Sequence, residues 1–248
     1  MCYNDNCAIT KECHSKERIS VEYKYETHMH TSEGSACGRS TGSEQAQAYY
    51  DAGYTGIIVT DHFFNGNCAV ARELPWEEKV ERFFIGYENA YNKGQEIGLD
   101  VFLGWEVNFQ ATEFLVYGLD KEWLLNNEDI LSWDVKEHYE RVKADGGMII
   151  HAHPFREAPY IKEIRLFPSY VDGVEVYNFG NESVNPKFNI DAYEYAKENE
   201  LPMTGGTDSH NVKATWGGMI FDHKLDTIND YMNAIYNFEG KVITKENY

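Results

Sequence analysis

YKYETHMHTSEG, residues 23–34, reads as a β-strand that runs out into His28-Met29-His30. Side chains alternate across a strand with a period of two, so His28 and His30 share one face. The strand delivers two imidazoles to the same place, at the point where it leaves its sheet. Histidine is a frequent metal ligand, but a lone His-x-His pair is weak evidence for an ion. What the other strand ends carry decides the reading.

Strands and helices alternate along the chain. Residues 21–28, 56–62, 100–107, 113–119, 148–154, 171–178 and 201–210 read as strands, and 216–221 as a short last one. Residues 43–53 read as a helix opened by Ser43 and stopped near Gly53. Further helices are expected over 76–98, over 134–147, and from Pro186 to residue 200. This alternation predicts βαβ units and a mainly parallel sheet. Short apolar runs such as GIIV and MII fit strands buried on both faces. About seven such units in 248 residues predict an α/β fold, a closed (β/α)7 TIM-like barrel more than an open sheet, with its site at the C-terminal ends of the strands. No Gly-rich phosphate fingerprint follows a strand, so dinucleotide binding finds no support.

The bulk numbers narrow the class. Hydrophobic residues make up 42% of the chain, enough to fill a large core without disulfides. Five cysteines, an odd number, fit a reducing compartment. With no long apolar run and no secretory pattern, a cytoplasmic protein without membrane contact is expected. The net charge of −19 disfavours nucleic acid as a partner, although bound cations would still admit a small anionic substrate. Residues 1–18, with Cys2, Cys7, Cys13 and His14 in no known metal spacing, read as a flexible leader to a domain spanning 19–248.

The expected strand ends carry His28 and His30, then Asp61 and His62, Glu106, His151 and His153, Glu175, and finally Asp208 and His210. Of nine histidines, only His14, His138 and His223 fall elsewhere. Each residue alone has an ordinary reading as a cap, a turn former or a salt-bridge partner. Gathered at one barrel mouth, so many imidazoles and carboxylates would be costly to bury without cations. Divalent ions resolve that conflict. Asp61 is then expected to orient a neighbouring ligand, because ligating imidazoles need such a partner.

The fragments HMHTSE, TDH, GWE, HAHPF and GTDSH, in this order, resemble the PHP family, named for its polymerase-associated and histidinol phosphatase members. The resemblance runs from His28 to His210. It implies a distorted barrel of seven βα units, two to three divalent ions (zinc, iron or manganese) and cleavage of phosphate esters. It further implies that His28, His30, Glu106 and Asp208 surround one ion. Glu106 would bridge to a second, which His153 also binds, and a third would take His62 and His210.

The chain departs from the family pattern at two places. Glu113 stands where many relatives have a histidine on the fourth strand, and Glu33 is the nearest candidate for the ligand from the first loop. His151 is an extra imidazole, read as a supporting or core residue. The expected reaction is hydrolysis of a small phosphomonoester, with metal-activated water as nucleophile and Glu106, Asp208, Asp61 and Arg156 as the catalytic set. Arg156 would grip a phosphate oxygen, because its planar fork suits that geometry. Arg39, Lys213, Tyr177 and Asn178 are further candidates for substrate contact. The same site chemistry would also serve hydrolysis of a C–N or C–O bond, or a phosphodiester. A metal-binding module without activity is the remaining alternative.

Overall fold

The computed structural model describes residues 21–214 and 216–248; the expected leader lies outside the described residues. The strands are β1 (Tyr23–Met29), β2 (Gly56–Val59), β3 (Asp100–Phe109), β4 (Thr112–Tyr117), β5 (Met148–His151), β6 (Gly173–Asn178), β7 (Met203–Gly206), β8 (Met219–Phe221) and β9 (Lys241–Val242). They form one sheet in the order β7-β6-β5-β4-β3-β2-β1-β8-β9. The first half of β1 pairs antiparallel with β8. Its second half meets the end of β7, where Asp208 N donates to His28 O and His30 N to Ser209 O, both at 2.8 Å. The sheet thus curls into a nearly closed, distorted barrel of seven strands, with β8 and β9 appended beside β1.

The sheet is less parallel than its alternation predicts. β4 runs antiparallel to both β3 and β5. Only Gln110 and Ala111 separate β3 from β4, at φ 55° and 67°, the left-handed pair of a tight hairpin. A two-residue link leaves no room for the crossover that parallel pairing needs. The reversal has a consequence for the site. The start of β4, Glu113, lies at the same end of the barrel as the finishes of its neighbours, paired with Asn108 of β3.

The helices are α1 (Gly42–Asp51), α2 (Trp76–Phe83), α3 (Ile85–Ile97), α4 (Lys121–Leu125), α5 (Val135–Ala144), α6 (Phe179–Val184), α7 (Lys187–Glu198) and α8 (Ile228–Tyr236). α1 is capped by Thr41, two residues before the expected Ser43. Thr41 closes a capping box with Glu44, accepting from Glu44 N at 3.2 Å while Glu44 Oε2 accepts from Thr41 N at 2.8 Å. The helix expected over 76–98 breaks into α2 and α3 at Phe84, where Phe83 and Phe84 both turn into the core. α8 was not expected from the sequence; its Tyr231 and Ile235 pack on Tyr25, Tyr117 and Met148. Those residues lie at the starts of β1 and β5 and the finish of the reversed β4, so α8 seals the barrel end remote from the histidines. No helix among the described residues is long and apolar enough to cross a membrane.

His138, on α5, is a core residue with Phe109 and Trp133 against its ring. Burial pushes its pKa down from 6.5 to about 4. Between those values the unfolded chain takes up a proton that the folded chain refuses, so stability is lost as pH falls from about 6.5 toward 4. The loss amounts to about 3 kcal/mol at most. Thermal melts of wild type and His138→Phe across that range should show a shallower acid decline in the variant. Parallel declines would exclude this role for His138.

Candidate metal centre

The barrel mouth gathers what the strand ends carry. Glu106 lies at the centre. Its Oε1 is 3.2 Å from both His28 Nε2 and His153 Nε2, and its Oε2 is 2.6 Å from His62 Nδ1 and 3.7 Å from His30 Nε2. Asp208 Oδ1 lies 3.1 Å from His30 Nε2 and 3.6 Å from His28 Nε2. Four overlapping groups have their donor atoms within 4.8 Å of one another: His28-His30-Glu106, His28-His153-Asp208, His62-Glu106-Glu113 and His30-His62-His210. Two of these residues, His153 and Asp208, hold positive φ of 29° and 57°. Such backbone costs on the order of 1–3 kcal/mol per residue and recurs at functional sites.

The supporting hydrogen bonds set the imidazole tautomers. His28 Nδ1 faces Glu175 Oε1 at 2.9 Å. This contact needs close backbone approach from β7, since a Cβ on Gly206 would sit 2.6 Å from that oxygen and 2.5 Å from His28 Cβ. His210 Nδ1 faces the Asp208 carbonyl at 2.9 Å. His30 Nδ1 lies 3.1 Å from Ser35 Oγ, and that hydroxyl donates to Asp61 Oδ1 at 2.7 Å. Each Nδ1 therefore carries its proton outward, leaving the Nε2 lone pair turned into the cluster.

This arrangement fits divalent ions. His28 Nε2 and His30 Nε2 stand 3.3 Å apart beside two carboxylates. Nitrogens sharing a tetrahedral ion at about 2.1 Å lie roughly 3.4 Å apart. In addition, Glu106 Oε2 and His62 Nδ1 are buried and face each other at 2.6 Å without the alignment of a hydrogen bond. Without an ion, protons must occupy the gap. Burial opposes charging His28, but Glu175, Asp208 and Glu106 carry its pKa well above the usual imidazole value. Burial, with His62 and His210 adjacent, holds His30 well below it. Burial likewise opposes ionising Asp208, but Arg156 and His28 hold its carboxyl well below the usual range.

The structure assigns several expected site residues to other work. The Glu33 carboxylate accepts from Gly42 N at the start of α1 and from Asn89 Nδ2 at 2.9 Å, outside the four donor groups. Tyr177 lies next to a register shift between Glu175 and Tyr177, so it does not share Glu175's inward face. Its hydroxyl accepts from Lys245 N instead. Asn178 is buried, donating to Glu175 Oε2 at 3.0 Å and accepting from Arg156 Nη2 at 2.9 Å. It therefore braces the arginine rather than a substrate. Arg39 and Lys213 are exposed on their loops. His151 is a core residue, stacked on Phe114 at 4.9 Å.

Asp61 reaches no imidazole directly. Burial raises its pKa to about 6 even though Thr31 and Ser35 donate to it, and it acts on His30 through Ser35. A Cβ on Gly34 would lie 2.3 Å from that carboxylate, so only glycine admits it there. Arg156 extends Nη1 to Asp208 Oδ2 at 2.6 Å and Nε to Asn181 Oδ1 at 2.8 Å.

Two residues escaped the sequence reading. Glu26 shares the face of His28 by the period of two and accepts from His28 N at 2.8 Å. Cys37 lies in the loop after β1, with its thiol near His210 and His62. Burial pushes that thiol up, but the two imidazoles outweigh it and bring the pKa to about 6.

No known family profile matches the sequence. An uncharacterized protein of Methanocaldococcus jannaschii is 34% identical over 116 residues, 44% of this chain and 46% of that protein. The chain thus spans about half the length of the curated relative it matches. A Bacteroides vulgatus two-domain protein containing a predicted PHP-like metal-dependent phosphoesterase superposes with a TM-score of 0.67 at 15% identity, over 90% of this chain and 64% of that one. A Bifidobacterium adolescentis protein assigned as a metal-dependent phosphoesterase gives 0.55 at 16% identity, over 88% and 96%. An amidohydrolase from Chromobacterium violaceum, with sulfate bound and no metal, gives 0.55 at 13% identity, over 91% and 100%. The PHP resemblance carried by the strand ends is thus matched by the backbone, and the chain has the PHP-like fold.

Proposed function

We propose that the chain is a metal-dependent hydrolase that cleaves small phosphomonoesters with two to three zinc, iron or manganese ions. The observation carrying this reading is the inward turn of the His28 and His30 Nε2 lone pairs onto Glu106 and Asp208. Bound divalent ions would supply Lewis acidity and an activated water near neutral pH. His28, His30, Glu106 and Asp208 would hold one ion, His153 with Glu106 and Glu113 a second, and His62 with His210 a third. The protein's part is to hold these groups still. Glu175 fixes the ring of His28, while Ser35, gripped by Asp61, fixes His30.

Arg156 supports phosphate as the electrophile. Three of its five N–H groups go to Asp208, Asn178 and Asn181, and the side chain remains 20% exposed. Two N–H groups remain to meet a non-bridging oxygen. The test is a Michaelis series on small phosphomonoesters, with phosphodiesters, amides and lactones beside them. Arg156→Ala should cut kcat/KM on the preferred phosphomonoester about 10-fold or more, roughly 1.4 kcal/mol of transition-state binding. Metal content should hold, since the change only frees Asp208 from a cation. Preference for amides or lactones by the wild type would overturn the phosphoesterase reading. An unaltered Arg156→Ala would remove the arginine from it.

A further inference from the structure

Three aromatic rings gather beside the barrel mouth. The ring of Phe179, the first residue of α6, lies 6.3 Å from that of Trp216 between centroids, with the planes within 15° of parallel. Tyr248 follows on Trp216 at 4.5 Å, and Lys24 Nζ lies 5.0 Å from the centre of the Tyr248 ring. None of the three rings belongs to a hydrophobic core cluster of the described residues, and Trp216 is 45% exposed. Single exposed apolar residues are ordinary, but a contiguous group of large rings marks a surface that meets a ligand or partner. Their neighbours in the chain tie two of them to the site. Phe179 directly follows Asn178, whose Oδ1 accepts from Arg156 Nη2 at 2.9 Å and from Asn181 N at 3.1 Å. On its other side is Gly180, where a Cβ would lie 3.5 Å from Arg156 Nη2. Trp216 precedes Gly217, where a Cβ would lie 2.5 Å from the backbone N of Thr207, the residue before Asp208. Both rings therefore stand on segments that border Arg156 and Asp208. Lys24 closes the Tyr248 end of the row, and Phe179 is the end next to Arg156.

We propose that Phe179 and Trp216 bind the leaving group of the substrate and select phosphomonoesters whose alcohol carries an aromatic or heteroaromatic ring. This rests on the phosphomonoesterase reading above and specifies the substrate class that it leaves open. A phosphate held by Arg156 and a ring lying on Phe179 fit within one small molecule, because consecutive Cα atoms such as those of Phe179 and Gly180 are about 3.8 Å apart. Ring faces attract one another beyond what their buried area explains, and stacking on an aromatic side chain needs no hydrogen bond to the ring. The platform thus discriminates by planarity. A planar ring gains stacking as well as burial, whereas a saturated ring of the same carbon count gains burial alone.

Benzyl phosphate and cyclohexylmethyl phosphate make the comparison, since both release a primary alcohol and only one ring is planar. kcat/KM is measured for each on metal-loaded protein. Binding of the matching phosphonates, which cannot be hydrolysed, is measured by calorimetry. Wild type should favour the benzyl compound about 10-fold in both measurements. Phe179→Leu and Trp216→Leu, which keep an apolar side chain, should bring that ratio to about 2-fold or less, chiefly through KM. Trp216→Phe should retain most of it. Tyr193→Leu, on an exposed ring of α7, should keep the wild-type ratio. Wild type that hydrolyses and binds both compounds equally overturns the aromatic platform and leaves the hydrolase reading standing. A wild-type preference that survives in both leucine variants removes these two residues from it. Preferential binding of the benzyl phosphonate with neither ester hydrolysed overturns the phosphomonoesterase reading and leaves the ring site. Wild type that neither binds nor hydrolyses any of the four compounds overturns both.

Discussion

Replacing Glu106 by glutamine should lower kcat/KM about 1000-fold or more, roughly 4 kcal/mol, and should reduce bound metal in the same preparation. Glu106 is 1% exposed and approaches four imidazoles, those of His28, His30, His62 and His153. Burial opposes its charge, but His62 and His28 hold its carboxyl well below the usual range. The anion is therefore the centre of the cluster's electrostatics. Glutamine keeps the shape but removes the charge, and it points an N–H₂ group at lone pairs or cations. Loss of a supporting partner around a metal typically costs 10–100-fold, so loss of a central carboxylate should exceed that. His223→Gln is the control, on a ring that is 49% exposed and pairs with Asp222 at 2.9 Å. It should stay within about 2-fold of wild type. Glu106→Gln retaining most of its metal and turnover would place the centre elsewhere.

The second large effect is on stability. Glu26 is fully buried, and its carboxylate accepts from Thr27 N at 3.0 Å, His28 N at 2.8 Å, Thr207 N at 2.9 Å, Tyr49 Oη at 3.1 Å and the Thr207 hydroxyl. These donors lie on β1, on α1 and in the segment after β7, so one side chain joins the two strands that nearly close the barrel. Glu26→Ala would leave several buried donors unpaired, at about 1–3 kcal/mol each before relaxation. A net loss of about 3–5 kcal/mol is expected, which lowers the melting temperature by on the order of 10 °C in a domain of this size. Glu26→Gln, which keeps the shape and one acceptor, should fall between the two. Melting after chelator treatment separates this effect from metal loss. An alanine variant that melts within about 2 °C of wild type under those conditions would show that the closure does not depend on Glu26.

Much of the site was legible because its residues sit at strand ends. The period of two places His28 and His30 together, and a barrel brings the finishes of its strands to one mouth. His62, Glu106, His153, Asp208 and His210 follow from the same rule. Glu113 is placed by a different one, since β4 is reversed and offers its start at that mouth. Glu26 was legible in principle, two residues before His28 on the same face. A buried glutamate reads as improbable until its donors are known, and those donors come from distant segments.

Taken alone, the order of strands and helices and the residues at the strand ends determined a barrel whose mouth is lined with candidate metal ligands, because both follow from local periodicity. Tertiary structure decided the rest. It reversed β4 through a two-residue turn and turned Tyr177 away beside a register shift. It gave Arg156 to Asp208, and in the loop after β1 it drew Glu33 to α1 and Cys37 to the imidazoles. Each of these depends on register or on a loop's path, where side-chain direction is set by contacts with remote residues and not by sequence neighbours.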